Sequence, residues 1–336
     1  MKKVIKRIFW DSTTRRLRTV WRLLLQLLLL AILSGIGFVL AGVGLSSLGK
    51  GSSSPTIVNG VATVTTLLVM ALSIWLAGRY LDRRRFADFG VHWRRSWWLD
   101  FAFGLSLGAL LMFLIFLVEV AAGWVTIVGA FRTASPTMPF GRAILEPVLL
   151  FFCVGIYEEL FSRGYQLKNL AEGLKGLWGL DYRGAIILAT LISATIFGLL
   201  HAGNPNATWV STFNIFLAGI FLAVGYLLTG ELAISIGLHM GWNFFQGNVF
   251  GFPVSGTDAN ATTFIAIRQG GNPLITGGAF GPEAGLIGIA ALILGSLLII
   301  GWVRLHYGVA RLAPRVATPD LRFPQPELLE STSAGE

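Results

Sequence analysis

The stretch ILEPVLLFFCVGIYEELFSRGYQ, Ile144 to Gln166, decides how the chain must fold. Its first half reads as helix facing lipid. Then two adjacent carboxylates appear, Glu158 and Glu159, with Arg163 behind them. An ionised side chain in hydrocarbon is costly and is rarely placed there without a task. The stretch therefore marks either a helix end at an interface or a polar site built inside a membrane protein.

Working outward, the whole chain supports a membrane setting. It has 336 residues, 54% of them hydrophobic and 13% charged, against about 25% charged in soluble proteins. The mean hydropathy is +0.70. The apolar residues come in long runs rather than in alternation, which predicts an all-α polytopic membrane protein and excludes an outer-membrane barrel. The single cysteine, Cys153, allows no intrachain disulfide. The first apolar run follows the basic head MKKVIKRIFWDSTTRRLRTVWR and exceeds the core of a cleavable signal, so it reads as an uncleaved span.

Eight runs are long enough to cross a bilayer, which takes about 20 residues each: Leu23–Leu45, Val61–Leu81, Phe101–Ala122, Arg142–Phe161, Gly184–His201, Trp209–Leu228, Leu232–Phe250 and Gly285–Val303. The chain carries 26 Lys and Arg; with the N-terminus inside, only Lys50, Arg132, Arg142 and Arg268 fall outside, leaving 22 on the inner side. This bias predicts both termini cytoplasmic in a plasma membrane, bacterial by the style of its loops. It also accounts for the net charge of +9 without any nucleic-acid partner. Four regions follow: a basic head over 1–22, N-terminal spans with an interfacial loop over 23–141, a membrane core over 142–303 and a cytoplasmic tail over 304–336. The tail is Pro-rich and polar from Pro314 on and is expected to be disordered. SSLGKGSSSP, Ser46–Pro55, reads as a flexible outer loop. No internal repeat of fixed period is present.

The ionisable residues within spans are Glu119, Glu158, Glu159, His201 and His239. Glu159 and Arg163 stand four apart with the acid first, the favourable order for a pair on one helix face. Glu158 is turned about 100° away and has no cation at that spacing, so it is expected to be free while Glu159 is tied up. HMGWN places His239 and Asn243 on one face, and FGLLH places Phe197 one turn before His201. A carboxylate, two imidazoles and an amide on three spans are the parts of a hydrolytic site: a base, a water orienter and oxyanion donors. Taken singly, each has a plainer reading. Paired glutamates can be interfacial charges, a membrane histidine can be a packed helix contact, and Asn can be interhelical glue. Glu119, near the outer end of its span, reads as snorkelling or structural. Their co-occurrence is what points to a site.

The order EELFSR, FGLLH, HMGWN resembles the three motifs of the CPBP family, the CAAX proteases and bacteriocin-processing enzymes (the Abi group): Glu-Glu-x-x-x-Arg, Phe-x-x-x-His and His-x-x-x-Asn. Glu158, Glu159, Arg163, Phe197, His201, His239 and Asn243 match them without departure. GNPLITGGAFGPEAGLIG, Gly271–Gly288, also resembles bacterial members. The resemblance implies an eight-helix intramembrane endopeptidase similar to the type II CAAX prenyl protease, acting on a membrane-associated, sometimes lipidated, protein or peptide in the bilayer. By carry-over, Glu158 and His201 activate water, His239 and Asn243 stabilise the oxyanion, and Glu159, Arg163 and Phe197 support them. No cofactor is expected. Glu158, His201 and His239 are the set that would hold zinc or another divalent metal, but no His-Glu-x-x-His pair is present, which favours a metal-free glutamate mechanism.

Two other classes compete. A transporter or channel finds support in the Gly-rich GGAFGPEAG leading into the last span, since a helix N-terminus can hold an anion. A non-catalytic scaffold would share every motif. One geometric demand is severe. His201 lies at the outer end of its span and Glu158 near the inner end of its own. For them to meet, the fourth helix must run past Arg163 and the fifth must start deep on the inner side, with a water-filled cavity expected to open to the cytoplasm.

Overall fold

The computed structural model describes residues 8–12, 14–47, 49, 54–135 and 137–322. A short hairpin, β1 (Trp10–Asp11) with β2 (Arg16–Leu17), precedes the first helices. These are α1 (Thr19–Ser47), α2 (Pro55–Leu76, wound on as a π-helix to Leu81) and α3 (Arg95–Ala121). β3 (Val125–Arg132) follows. Then come α4 (Leu145–Glu159), a π-helical segment over Leu160–Leu167, and α5 (Lys168–Leu174), which together form one continuous rod. After these stand α6 (Tyr182–Leu200), α7 (Trp209–Thr229), α8 (Ala233–Phe244, continued by a π turn to Val249), β4 (Thr263–Gln269) and α9 (Leu286–Tyr307).

Local chemistry sets several of the starts. Asp181 caps α6 by accepting from Gly184 N at 2.8 Å. Thr208 and Ser211 form a reciprocal capping box on α7. Gly230, at φ +65°, ends α7 in the left-handed conformation that turns the chain directly into α8.

The protein is an all-α polytopic membrane protein, with seven described helices long and apolar enough to cross a membrane. The run expected as the seventh of eight spans, Leu232–Phe250, is not among them. Its regular part, α8, is only 12 residues long, and every residue from Ala233 to Trp242 is buried. It sits in the middle of the bundle against α3, α4 and α7. Two glycine pairs explain how it gets there. A Cβ on Gly104 or Gly108 of α3 would lie 2.3 or 2.4 Å from backbone of α8, and one on Gly237 or Gly241 of α8 would lie 2.2 or 2.3 Å from backbone of α3. Small residues four apart on both helices let the two backbones touch.

The basic residues gather at one end. Arg16, Arg22 and Arg84 are buried with Asp82 and Glu172. Arg16 and Arg84 pair with Glu172, Arg22 pairs with Asp82 and donates to Asn169 Oδ1 at 2.8 Å, and Lys168 Nζ lies 3.0 Å from Asp88. Beside them Glu231 receives Arg315 at 3.0 Å and Arg94 at 3.2 Å. At the opposite end β3 and β4 pair antiparallel, Val125 opposite Gln269 and Arg132 opposite Thr263. That pairing delivers Gln269, whose Nε2 donates to both oxygens of Glu119 at 2.9 and 3.2 Å. Glu119 is fully buried, so its role is structural and it does not snorkel.

The tail departs from expectation up to Arg322. Residues 304–307 belong to α9, and Pro314–Ala317 form a 3-10 turn whose Val316 and Ala317 are buried. Lys168 Nζ donates to Arg315 O at 2.7 Å, and Arg84 bridges Leu321. The Pro-rich composition that reads as disorder is here a short strap tied to the basic end. The rest of the tail, 323–336, residues 48 and 50–53 of the 46–55 loop and the first seven residues lie outside the described residues.

Candidate active site

Three close helix contacts assemble the polar residues. Gly155, one turn before Glu159, faces α8, where a Cβ would meet Met240 Cγ at 2.6 Å; this brings Glu158 and Glu159 against His239. Gly219 of α7 packs on Ala194 of α6, where a Cβ would lie 3.1 Å away, and its carbonyl accepts from Arg163 at 2.8 Å. Ser193 of α6 donates to Ser162 O at 3.0 Å, fixing α6 against the π-helical segment.

Glu159 is fully buried. It accepts from Arg163 at 2.8 Å, as the spacing predicts. The same oxygen, Oε1, also lies 2.8 Å from His239 Nδ1. This second contact joins residues 80 apart in the chain, and no local spacing reports it. With Arg163 donating from the other side, Glu159 accepts the Nδ1–H of His239 and turns Nε2 toward Glu158. Arg163 is held by its remaining contacts too: its guanidinium sits 4.6 Å from the Phe197 ring centroid. The Phe197 ring in turn lies tilted 4.7 Å from His201 and edge-on 6.4 Å from His239. His201 donates Nδ1–H to Phe197 O at 2.8 Å, which leaves its Nε2 as a free lone pair.

Glu158 is only half-buried. Its Oε2 lies 3.9 Å from His239 Nε2 and has no hydrogen-bond partner in the protein. A water bonded to both at about 2.8 Å fits beside the line that joins them. Glu158, His201, His239 and Asn243 all line one cavity of about 790 Å³. The fourth helical rod does run past Arg163, to Leu174, and α6 starts beside its end at Tyr182, which is how His201 and Glu158 come to share a wall.

The sequence predicts the opening at the basic end, but the cavity's loop lining is at the other one. Its lining outside the helices is Asn204, Val254, Ser255, Thr257, Ala259 and Glu283, all from loops at the end opposite the basic residues. Glu158 stands ten residues from Lys168, about 15 Å of helix away from the basic end, and not at a helix terminus as the run of apolar residues suggests.

Sequence reading missed this rim. Glu283 is buried at the start of α9. It accepts from Ser255 N and from Ser255 Oγ at 2.5 and 3.3 Å, while Gln246 Nε2 donates to its other oxygen. Burial pushes its carboxyl up to about 7. The only signal in the chain is a lone acid within GGAFGPEAG. The one acid of the Gly-rich stretch is thus occupied by Ser255 and Gln246 of the preceding segments. Among the described residues no group of three His, Cys, Asp or Glu side chains is placed to hold a metal ion as the side chains stand.

Residues 140–245, about a third of the chain, match the sequence model of the family described as type II CAAX prenyl endopeptidase Rce1-like. All seven motif residues lie inside the matched segment. The match supports assigning the chain to the CAAX protease, or CPBP, family, and with it a CAAX-type intramembrane protease working on a membrane-associated protein substrate in lipid. No curated protein and no solved structure gives a significant match.

Proposed function

We propose that the cavity hydrolyses a peptide bond of a membrane-associated protein or peptide, with Glu158 as general base. What carries this reading is the unpartnered Glu158 Oε2 facing His239 Nε2 across 3.9 Å of cavity wall. A buried carboxylate oxygen without a partner is rare and costly, and a water there satisfies both groups while standing where a base can take its proton.

In this mechanism the water donates to Glu158 and to His201 Nε2 and accepts the Nε2–H of protonated His239. Its oxygen attacks the scissile carbonyl carbon while Glu158 takes a proton. The negative charge that develops on the carbonyl oxygen meets the amide of Asn243 and, in its protonated form, Nε2–H of His239. Glu159 fixes His239 from behind and Arg163 fixes Glu159, so the donors are in place before charge develops. Glu158 then passes its proton to the leaving amine as the C–N bond breaks. No step requires a metal.

The test is cleavage of a membrane-anchored peptide by purified protein in detergent. General-base catalysis is worth about 100- to 10,000-fold, so Glu158→Gln should lose at least the lower figure while accumulating normally in membranes. Full activity in Glu158→Gln refutes the assignment. Activity lost to a chelator and restored by zinc would keep the site and overturn the metal-free chemistry. A non-catalytic scaffold predicts no cleavage by the wild type against any anchored substrate.

A further inference from the structure

We infer that this cavity receives its substrate from the non-cytoplasmic side of the membrane, and that the substrate is an uncharged juxtamembrane segment of a membrane-anchored polypeptide on that side. The inference rests on reading the cavity as a peptidase site.

Three observations carry it. First, the loops that line the cavity, through Asn204, Ser255 and Thr257, all belong to the end of the bundle where β3 pairs with β4. Second, no loop of the opposite end lines the cavity. Below Glu158 the rod's share of the lining runs through Phe161 and Ser162 to Gln166, and Arg163 and Ser193 tie the rod to α6 and α7. Beyond that lies the buried network of Arg16, Arg22, Arg84, Asp82 and Glu172, and no residue of the loops there reaches the cavity. Third, 18 of the 21 described Lys and Arg fall toward the basic end, and the positive-inside bias puts that end in the cytoplasm. A segment entering from the cytoplasm would have to part these buried ion pairs; one entering from the other side meets loops.

The rim also sets the kind of segment. Asn204, Ser255 and Thr257 offer neutral hydrogen-bonding groups. The one carboxylate there, Glu283, has both oxygens occupied by Ser255 and Gln246. The walls beneath are apolar, with Leu27, Leu150 and Leu200 among them. The exposed Asp258 stands beside this lining between Thr257 and Ala259, but the lining itself is neutral or apolar apart from Glu283 and the site's own Glu158, and an uncharged extended segment loses least on entering.

Two measurements decide the matter separately. In a Cys153→Ala background, Thr257→Cys at the exposed rim and Asp320→Cys at the basic end are treated with a membrane-impermeant maleimide on intact bacterial cells producing the full chain. Thr257→Cys should label from outside, and Asp320→Cys only after permeabilisation. Labelling of Thr257→Cys only after permeabilisation overturns the inference, whether or not the protein cleaves anything. The second measurement uses one anchored reporter with an uncharged segment just outside the bilayer and a second with the same segment just inside. The outer reporter should be cut at least 10-fold faster, and not by Glu158→Gln. Preference for the inner reporter overturns the inference and leaves the peptidase reading standing. Cleavage of neither overturns the substrate class, while outside labelling of Thr257→Cys would still fix the face.

Discussion

Removing Arg163 should cost the protein much of its stability. The guanidinium is 1% exposed. It donates to Glu159 at 2.8 Å and to Gly219 O at 2.8 Å, and it sits 4.6 Å from the Phe197 ring. In Arg163→Ala the fully buried Glu159 keeps only His239, and Gly219 O loses its side-chain donor. Breaking a buried pair from one side costs about 3–5 kcal/mol, and an orphaned carbonyl adds about 1–3 kcal/mol. The two losses overlap, so a total near the upper end of the first range is expected, against a net stability of about 5–15 kcal/mol for a folded protein. The assay is thermal unfolding of purified protein in detergent, together with its level in membranes. Arg163→Ala should accumulate poorly and melt far below wild type. Removing the charge from both partners, as Glu159→Gln with Arg163→Met, should recover part of the loss, because neither then leaves the other bare. If Arg163→Ala accumulates and melts like wild type, the claim that this arginine holds the site together fails.

Other outcomes follow from the same geometry. Asn243→Ala should lose about 100- to 1,000-fold in rate with little change in stability, as for removal of one oxyanion donor; unchanged turnover would take Asn243 out of the oxyanion site. Gly241→Val, pressed onto the Leu105 carbonyl, should destabilise by about 1–3 kcal/mol or more and abolish activity, whereas Gly42→Val on α1, with open space around it, should be tolerated. Glu283 is raised from its ordinary value of 4.5 to about 7, so its contribution to stability is complete below pH 4.5 and is lost as pH rises through 7. Melting temperature should therefore fall more steeply from pH 5 to 8 in wild type than in Glu283→Gln; parallel curves would show that Glu283 does not titrate there.

Much of the site was legible because it is written in local spacing. Glu159 with Arg163 and Phe197 with His201 are one-turn pairs, and a sequence displays those directly. The Glu159–His239 contact and the rim of Asn204, Ser255 and Glu283 are not legible in the same way. They join distant segments, and their residues are ordinary polar loop residues until the fold brings them together. The fold class was equally plain from the apolar runs. The depth of Glu158 was misread because hydropathy falls at Arg163 and Lys168, which looks like a helix leaving the membrane. In fact those charges are neutralised inside the protein by Glu159 and Asp88, so the rod goes on to Leu174. The strap after Pro314 was missed for a related reason: composition registers its polarity but not the partners waiting at the basic end.

The glycine contact between α3 and α8 makes those two helices a single mechanical part. With no side chains between the backbones there is nothing to slide, tilt or repack, so His239 and Asn243 keep the height that α3 gives them. α3 runs on through Trp124 into β3, and β3 grips β4, so α8 and the far sheet form one stiff frame. α1 stands on the other side of the chamber, contributing Leu27 and Leu30 to its wall. A polypeptide in the chamber therefore lies between two unlike walls: a backbone-to-backbone frame that fixes His239 and Asn243, and a side-chain surface that α1 supplies.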